Sequence, residues 1–174
     1  MQWRKFQAWT WEYTELVRLQ DELAAFFKRD LNRLIQQLEA LDKDSQLWEK
    51  TEGVSNSTGN LALHLEGNLR EYVGRQLGDV PYQRHRDQEF SASGLSRADL
   101  VRRLAEVRDI VVQAISRLSD QRLTEPFPER VLGIEWSTQQ FILHLLAHFN
   151  YHLGQIDYLR RFLTKKSAIT LATL

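Results

Sequence analysis

The sequence predicts an all-α four-helix bundle, and three observations carry that expectation. The 174 residues include only three prolines and eight glycines, and long stretches contain neither. Apolar residues recur at intervals of three and four, the period of one helix face, in four separate segments. Serine or threonine stands at the head of three of those segments, where its side-chain oxygen can cap free backbone N–H groups.

The elements follow in order. Leu16, Leu19, Leu23, Phe27, Leu31, Leu34, Leu38 and Leu41 form one stripe. They predict one long helix, or two with a break near Asp21 or Asp30. The lead-in with Trp3, Trp9 and Trp11 predicts a short extra helix packed outside the bundle. Residues 42–57 read as a loop. Thr58 is the expected N-cap of a second helix carrying Leu61, Leu65, Leu69, Tyr72 and Val73, ended by Gly78 and Pro81. Residues 79–96 read as a long charged connection, a length that serves a purpose or stays disordered.

Ser96 with Asp99 resembles a capping box for the third helix, whose Leu100, Leu104, Val107, Val111, Ala114 and Leu118 make a narrow seam. Residues 119–136 form a second long loop, in which Glu129 to Trp136 make a small hairpin or an extended turn. Ser137 and Gln140 cap the fourth helix, which runs to about Leu163. The tail SAITLATL either packs back on the bundle or joins a partner chain. With no internal repeat and no low-complexity stretch, residues 1–174 read as one domain.

Composition excludes several functions. Lys plus Arg and Asp plus Glu both number 23, so the basic footprint of a nucleic-acid binder is missing. Without cysteine there are no disulfides, zinc–thiolate sites or cysteine nucleophiles. No apolar run is long enough to span a bilayer, and the N-terminus lacks a signal-peptide core, so a cytoplasmic protein with no membrane partner is expected. A Gly-rich phosphate loop, a nucleophile elbow and the Glu-x-x-His pairs of di-iron bundles are all missing.

Three of the five histidines, His144, His148 and His152, lie in nine residues of the fourth helix. On a wheel of about 100° per residue, His148 and His152 fall about 40° apart, in the sector of Phe141, Leu145, Ile156, Leu159 and Leu163. Asn150, Asp157 and Arg161 lie on the far side, and His144 sits on a flank. His144 and His152 are separated by about 12 Å of rise, so all three cannot share one ion. The pair is either His144 with His148 or His148 with His152, and the wheel favours the second. Two buried imidazoles cannot both be protonated cheaply, and a divalent cation resolves that because neutral imidazole is a ligand. Alternatively each donates to a carbonyl or carboxylate on a neighbouring helix. His64, at the edge of the second helix's apolar face, is the candidate third ligand or else a partly exposed histidine. His85, among Arg84, Arg86 and Asp87, reads as solvent-facing. Glu66 and Glu71 lie near His64 in sequence but off its apolar face, and so read as surface residues. Trp11, Trp48 and Trp136 read as packing or interface residues.

Two patches resemble the DinB-like family of metal-binding four-helix bundles. One is His64 within LALHLEGNLREYV. The other is His148-x-x-x-His152 followed by Gly154-Gln155-Ile156, with Leu153 where the family usually has arginine. The resemblance implies one divalent metal, zinc or nickel, held by His64, His148 and His152 with open positions for water or substrate. It also implies a possible transferase chemistry that uses a low-molecular-weight thiol, since coordination lowers a thiol pKa. The alternative is a non-catalytic metal- or ligand-binding dimeric module. The segments HLEGNLREYV and RHRDQEF resemble a DinB-like subgroup of unknown function. Asn68, Arg84, Arg86 and His144 are the candidate substrate-binding residues, with Arg70 a further cation for an anionic substrate. The apolar tail and the tryptophan-rich N-terminus are the expected interface of a homodimer.

Overall fold

A computed structural model of the chain describes residues 17–169. In chain order the helices are α1 (Leu19–Glu39), α2 (58–78), α3 (Arg86–Ser91), α4 (Arg97–Ser116), α5 (Asp120–Thr124) and α6 (Thr138–Thr164). Four of them, α1, α2, α4 and α6, build the bundle expected from the sequence. The short α3 and α5 lie in the connections that were read as loops. No helix among the described residues is long and apolar enough to cross a membrane.

Helix α1 packs against α4 and α6, and α2 packs against the same two, so α1 and α2 occupy opposite corners. Asp30 meets Asn150 and Gln37 meets Arg160, which makes α1 and α6 parallel. Tyr72 meets Phe141 and His64 meets His148, which makes α2 and α6 antiparallel. The core is the predicted stripes brought together: Phe27, Leu31 and Leu34 from α1, Leu65, Leu69 and Val73 from α2, Leu104 and Val107 from α4, and Phe141, Phe149 and Ile156 from α6. Burying each such side chain contributes about 1.5–3 kcal/mol.

Helix α1 runs unbroken through Asp21 and Asp30. Asp30 is fully buried but accepts from Arg29 at 2.7 Å, Arg33 at 3.1 Å and the Asn150 amide at 2.8 Å. Its charge is therefore compensated, and nothing forces the helix to open. Asn150 is exposed, on the outer side of α6 where the wheel places it, and its amide reaches across to Asp30 on α1.

Ser57, one residue before the expected Thr58, is the N-cap of α2, and its oxygen accepts from Asn60 N at 3.2 Å. Past Leu69 the helix contains a π-type turn, Arg70–Arg75, before closing with Gln76–Gly78. The caps of the other two helices match expectation: Ser96 accepts from Asp99 N, and Ser137 with Gln140 forms a full capping box.

After α5 the chain forms a narrow loop closed by antiparallel bridges between Pro126 and Ser137 and between Val131 and Ile134. Leu132 (φ 55°) and Gly133 (φ 76°) make its tip, the two left-handed positions of a type I′ turn. This is the small hairpin expected around Glu129 to Trp136. At the far end, Arg160 donates to Ser167 O at 2.8 Å, so the start of the tail folds back on α6. The tryptophan-rich lead-in, Leu16 and residues 170–174 lie outside the described residues.

Candidate metal centre

His148 and His152 stand one turn apart on the same face of α6, with ring centroids 4.6 Å apart. His64 reaches them from α2, its ring centroid 5.2 Å from each. One ring nitrogen from each of the three lies within 4.8 Å of the others. His64 Nε2 faces His148 Nε2 at 3.3 Å. Two imidazoles bound at about 2.0–2.1 Å to a tetrahedral ion have their nitrogens about 3.3–3.4 Å apart. The donor set and the spacing therefore fit one divalent cation. No other group of this kind occurs among the described residues. His144 stays outside it, 6.4 Å from His148 by ring centroid and packed between Phe141 and Trp136.

The ring orientations are held by acceptors. His64, only 6% exposed, places Nδ1 2.9 Å from Glu89 Oε2. An ionised carboxylate only accepts, so Nδ1 carries the proton and Nε2 keeps its lone pair. His152 is fixed in the same way by Gln155 Oε1, 2.7 Å from its Nδ1. Gln155 belongs to the Gly-Gln pair that follows the histidine motif, and orienting His152 is its local role.

Glu89 comes from α3, the helix inside the segment read as a charged connection. Burial pushes its carboxyl up, but hydrogen bonds from Arg84 and His64 outweigh that and hold it below the usual carboxylate range. Arg84 donates through Nε at 2.7 Å and through Nη2 at 2.9 Å, a bidentate grip. Asn60 ties α3 to α2 by donating to Glu89 O at 3.1 Å and Ala92 O at 3.0 Å. Gly67 leaves room for the carboxylate, since a Cβ there would collide with Glu89 Oε1.

Protonation is disfavoured at His148 and at His152. Burial, followed by repulsion from His152, His64, His144 and Arg84, lowers the His148 pKa to about 4. Burial and the His64 charge lower that of His152, against the opposing pull of Gln155. A site that disfavours protons at imidazoles aimed together suits a cation with ligand vacancies to fill.

A cavity of about 220 Å³ opens beside His64 and His148. Asn68, Arg84, Arg86 and His144, the residues expected on the substrate side, all line it together with Tyr72 and Leu132. Arg70 does not: it is committed to Glu66 at 2.8 Å and Glu106 at 3.2 Å, in the contact between α2 and α4. Glu66, expected at the surface, is 1% exposed and pairs with Arg70 and with Arg103 at 2.8 Å. Two guanidinium partners make that burial affordable. Glu71 pairs with Arg75, and His85 is exposed as expected. Glu89 and Asn60 are the site residues that the sequence reading missed. The i, i+5 spacing of Arg84 and Glu89 in a charged segment is the signal that could have drawn attention to the first.

Residues 11–173 match the profile of a family described as "Protein of unknown function (DUF1572)". No curated protein sequence matches the chain. Among solved structures it is similar to one described as the crystal structure of the conserved protein of locus from Enterococcus faecalis. The TM-score is 0.70 at 13% identity, covering 87% of this chain and 100% of that one. At that identity the likeness speaks for the shared fold alone.

Proposed function

Because the chain belongs to the DUF1572 family of proteins of unknown function, a DinB-like family, we propose from its own geometry that it binds one divalent metal ion through His64, His148 and His152. The observation that carries this is the convergence of three imidazoles, two with Nδ1 already engaged, onto one point beside a cavity. When bound, the ion supplies Lewis-acid polarisation and lowers the pKa of a thiol or water at its remaining positions. Zinc and nickel both suit an imidazole set.

The reaction proposed is group transfer to a low-molecular-weight thiol, which comes from outside because the chain has no cysteine. Asn68, Arg84, Arg86 and His144 form the substrate side. Leu132, at the tip of the narrow loop, also lines the cavity. A non-catalytic binding module is the second reading, and one observation favours it. Among the described residues no carboxylate lines the cavity, so no acidic side chain there can serve as a general base. A homodimer in the cytoplasm is also part of the proposal. Leu143, Tyr151, Tyr158 and Phe162, exposed along α6, are the described apolar surface a second copy would cover. Sedimentation showing only monomer at micromolar concentration removes the dimer.

The test is metal content of protein purified without an affinity tag. One equivalent of metal is expected, lost in His148→Ala and in His152→Ala. Unchanged metal content in both variants overturns the assignment. Metal-dependent conjugation of a thiol to a panel of electrophiles then separates the enzyme from the binding module.

A further inference from the structure

Resting on the three-histidine reading above, we propose that the adjoining cavity takes a small carboxylate, its charged end on Arg86 and its polar body on Asn68, Tyr72 and His144. Charge comes first. Three neutral imidazoles bring no negative charge to a divalent ion. The carboxylate next to them, Glu89, is already balanced by Arg84 in a bidentate pair. Among the described residues Arg86 has no carboxylate partner, and its guanidinium lies over the Phe90 ring at 5.2 Å. The centre with its ion is therefore strongly positive, and the cavity lining holds no uncompensated negative group. An anion from outside is the group that would balance it.

Unmet hydrogen bonding comes second. Asn68 is 9% exposed, yet among the described residues its side-chain amide has no hydrogen-bond partner. The Tyr72 hydroxyl and the His144 ring nitrogens, lining the same cavity, have none either. None of these atoms is sealed from the cavity, so donors and acceptors with no protein partner, facing one space, are free to take a polar ligand in place of water.

Size and charge then narrow the class. About 220 Å³ is less than the roughly 300–1,000 Å³ that encloses a drug-sized molecule, so the ligand or its reacting end is small. The rest of the lining is Val131, Leu132, Phe141 and Leu145, which suit a short carbon chain. One uncommitted guanidinium matches one carboxylate in fork geometry. A phosphate dianion would call for more donors.

The experiment is calorimetric titration of apoprotein and cobalt(II)-loaded protein with succinate, succinamide and inorganic phosphate, for the native chain and Arg86→Gln. Arg86 is exposed, so its replacement does not threaten folding. Succinate is expected to bind the cobalt form at least tenfold more tightly than succinamide. Arg86→Gln should lose about ten- to a hundredfold of the succinate affinity while keeping its cobalt. Equal binding of succinate and succinamide, or an unchanged affinity in Arg86→Gln, overturns the proposal. Phosphate binding more tightly than succinate overturns the carboxylate assignment. If cobalt is not taken up, the metal reading has failed, and the apoprotein titration still decides the anion: succinate binding that weakens in Arg86→Gln keeps it, and no binding ends it.

Discussion

The Nδ1 of His64 lies 2.9 Å from the Glu89 carboxylate, and Arg84 grips that carboxylate through two nitrogens. The chain Arg84–Glu89–His64 fixes which imidazole nitrogen is free and where it points. Outer partners of this kind typically change metal affinity by about 10–100-fold when removed. Glu89→Gln keeps the shape but lowers the charge on the acceptor and breaks the bidentate pair. Its metal dissociation constant should rise by about 10–100-fold at unchanged stoichiometry. Competition with a chromophoric chelator measures it. A change within twofold would show that Glu89 is a bystander.

The bundle was legible from residues 19–164 because buried faces impose the helical period on Leu, Phe and Val directly. The histidine pair was legible for the same reason: His148 and His152 are i, i+4 on an apolar face. His64, at the edge of an apolar face, was a candidate third ligand, but choosing that over a partly exposed histidine took family resemblance, since a residue 84 positions from His148 carries no local signal of contact. Glu89 was hidden further. It sits on a six-residue helix, Arg86–Ser91, too short and polar to show periodicity. Its docking depends on Asn60, which no periodicity or motif in the sequence singles out. Once the fold is known, the two short patterns gain physical content. In His-x-x-Gly-Asn, Gly67 clears space for Glu89 and Asn68 faces the cavity. In Arg-x-Arg-Asp-x-Glu-Phe, Arg84 and Glu89 brace His64 while Arg86 stays uncommitted.

Two helix glycines should respond oppositely to alanine. At Gly154 nothing lies within 4 Å of an added Cβ, so Gly154→Ala should stabilise α6 by about 0.5–1 kcal/mol and leave metal affinity alone. At Gly67 the same gain is opposed by collision with a carboxylate that Arg84 and His64 hold in place. Charge-assisted hydrogen bonds contribute about 1.5–3 kcal/mol each, so losing even one outweighs the gain. Gly67→Ala should destabilise the fold and weaken metal binding together. Urea midpoints with a metal titration of each variant check this. A stabilised Gly67→Ala of native affinity would contradict the packing described.

Asn60 joins the start of α2 to α3: its backbone N–H donates to the Ser57 cap, and its side-chain amide donates to the carbonyls of Glu89 and Ala92. Asn60→Ala strands those carbonyls near the end of α3. The expected cost is about 1–3 kcal/mol, with loosened metal binding because Glu89 rides on the same helix. Thermal unfolding of the metal-free protein, followed by circular dichroism, reads the first effect. A midpoint equal to the native one would mean that α3 is held by other contacts.

Acid should unfold the metal-free protein through the same imidazoles. His148 is lowered from an ordinary 6.5 to about 4, chiefly by burial, and His152 is lowered as well. In that interval the unfolded chain binds more protons than the folded one, so stability rises with pH. The contribution is fully present above about 6.5 and is lost as pH falls through about 4, where His148 protonates in the native state too. Glu89 acts in the same direction at lower pH, because its folded pKa is also depressed and its stabilisation disappears once the carboxylate is protonated. Urea midpoints in the presence of a chelator should therefore fall steadily from pH 7 towards pH 4. His148→Gln removes one titrating site and should flatten that slope, whereas saturating metal should steepen it, since only neutral imidazoles bind the ion. A midpoint constant across the interval, or a slope unaltered in His148→Gln, would place these rings in open water and not in the packed site between α2 and α6.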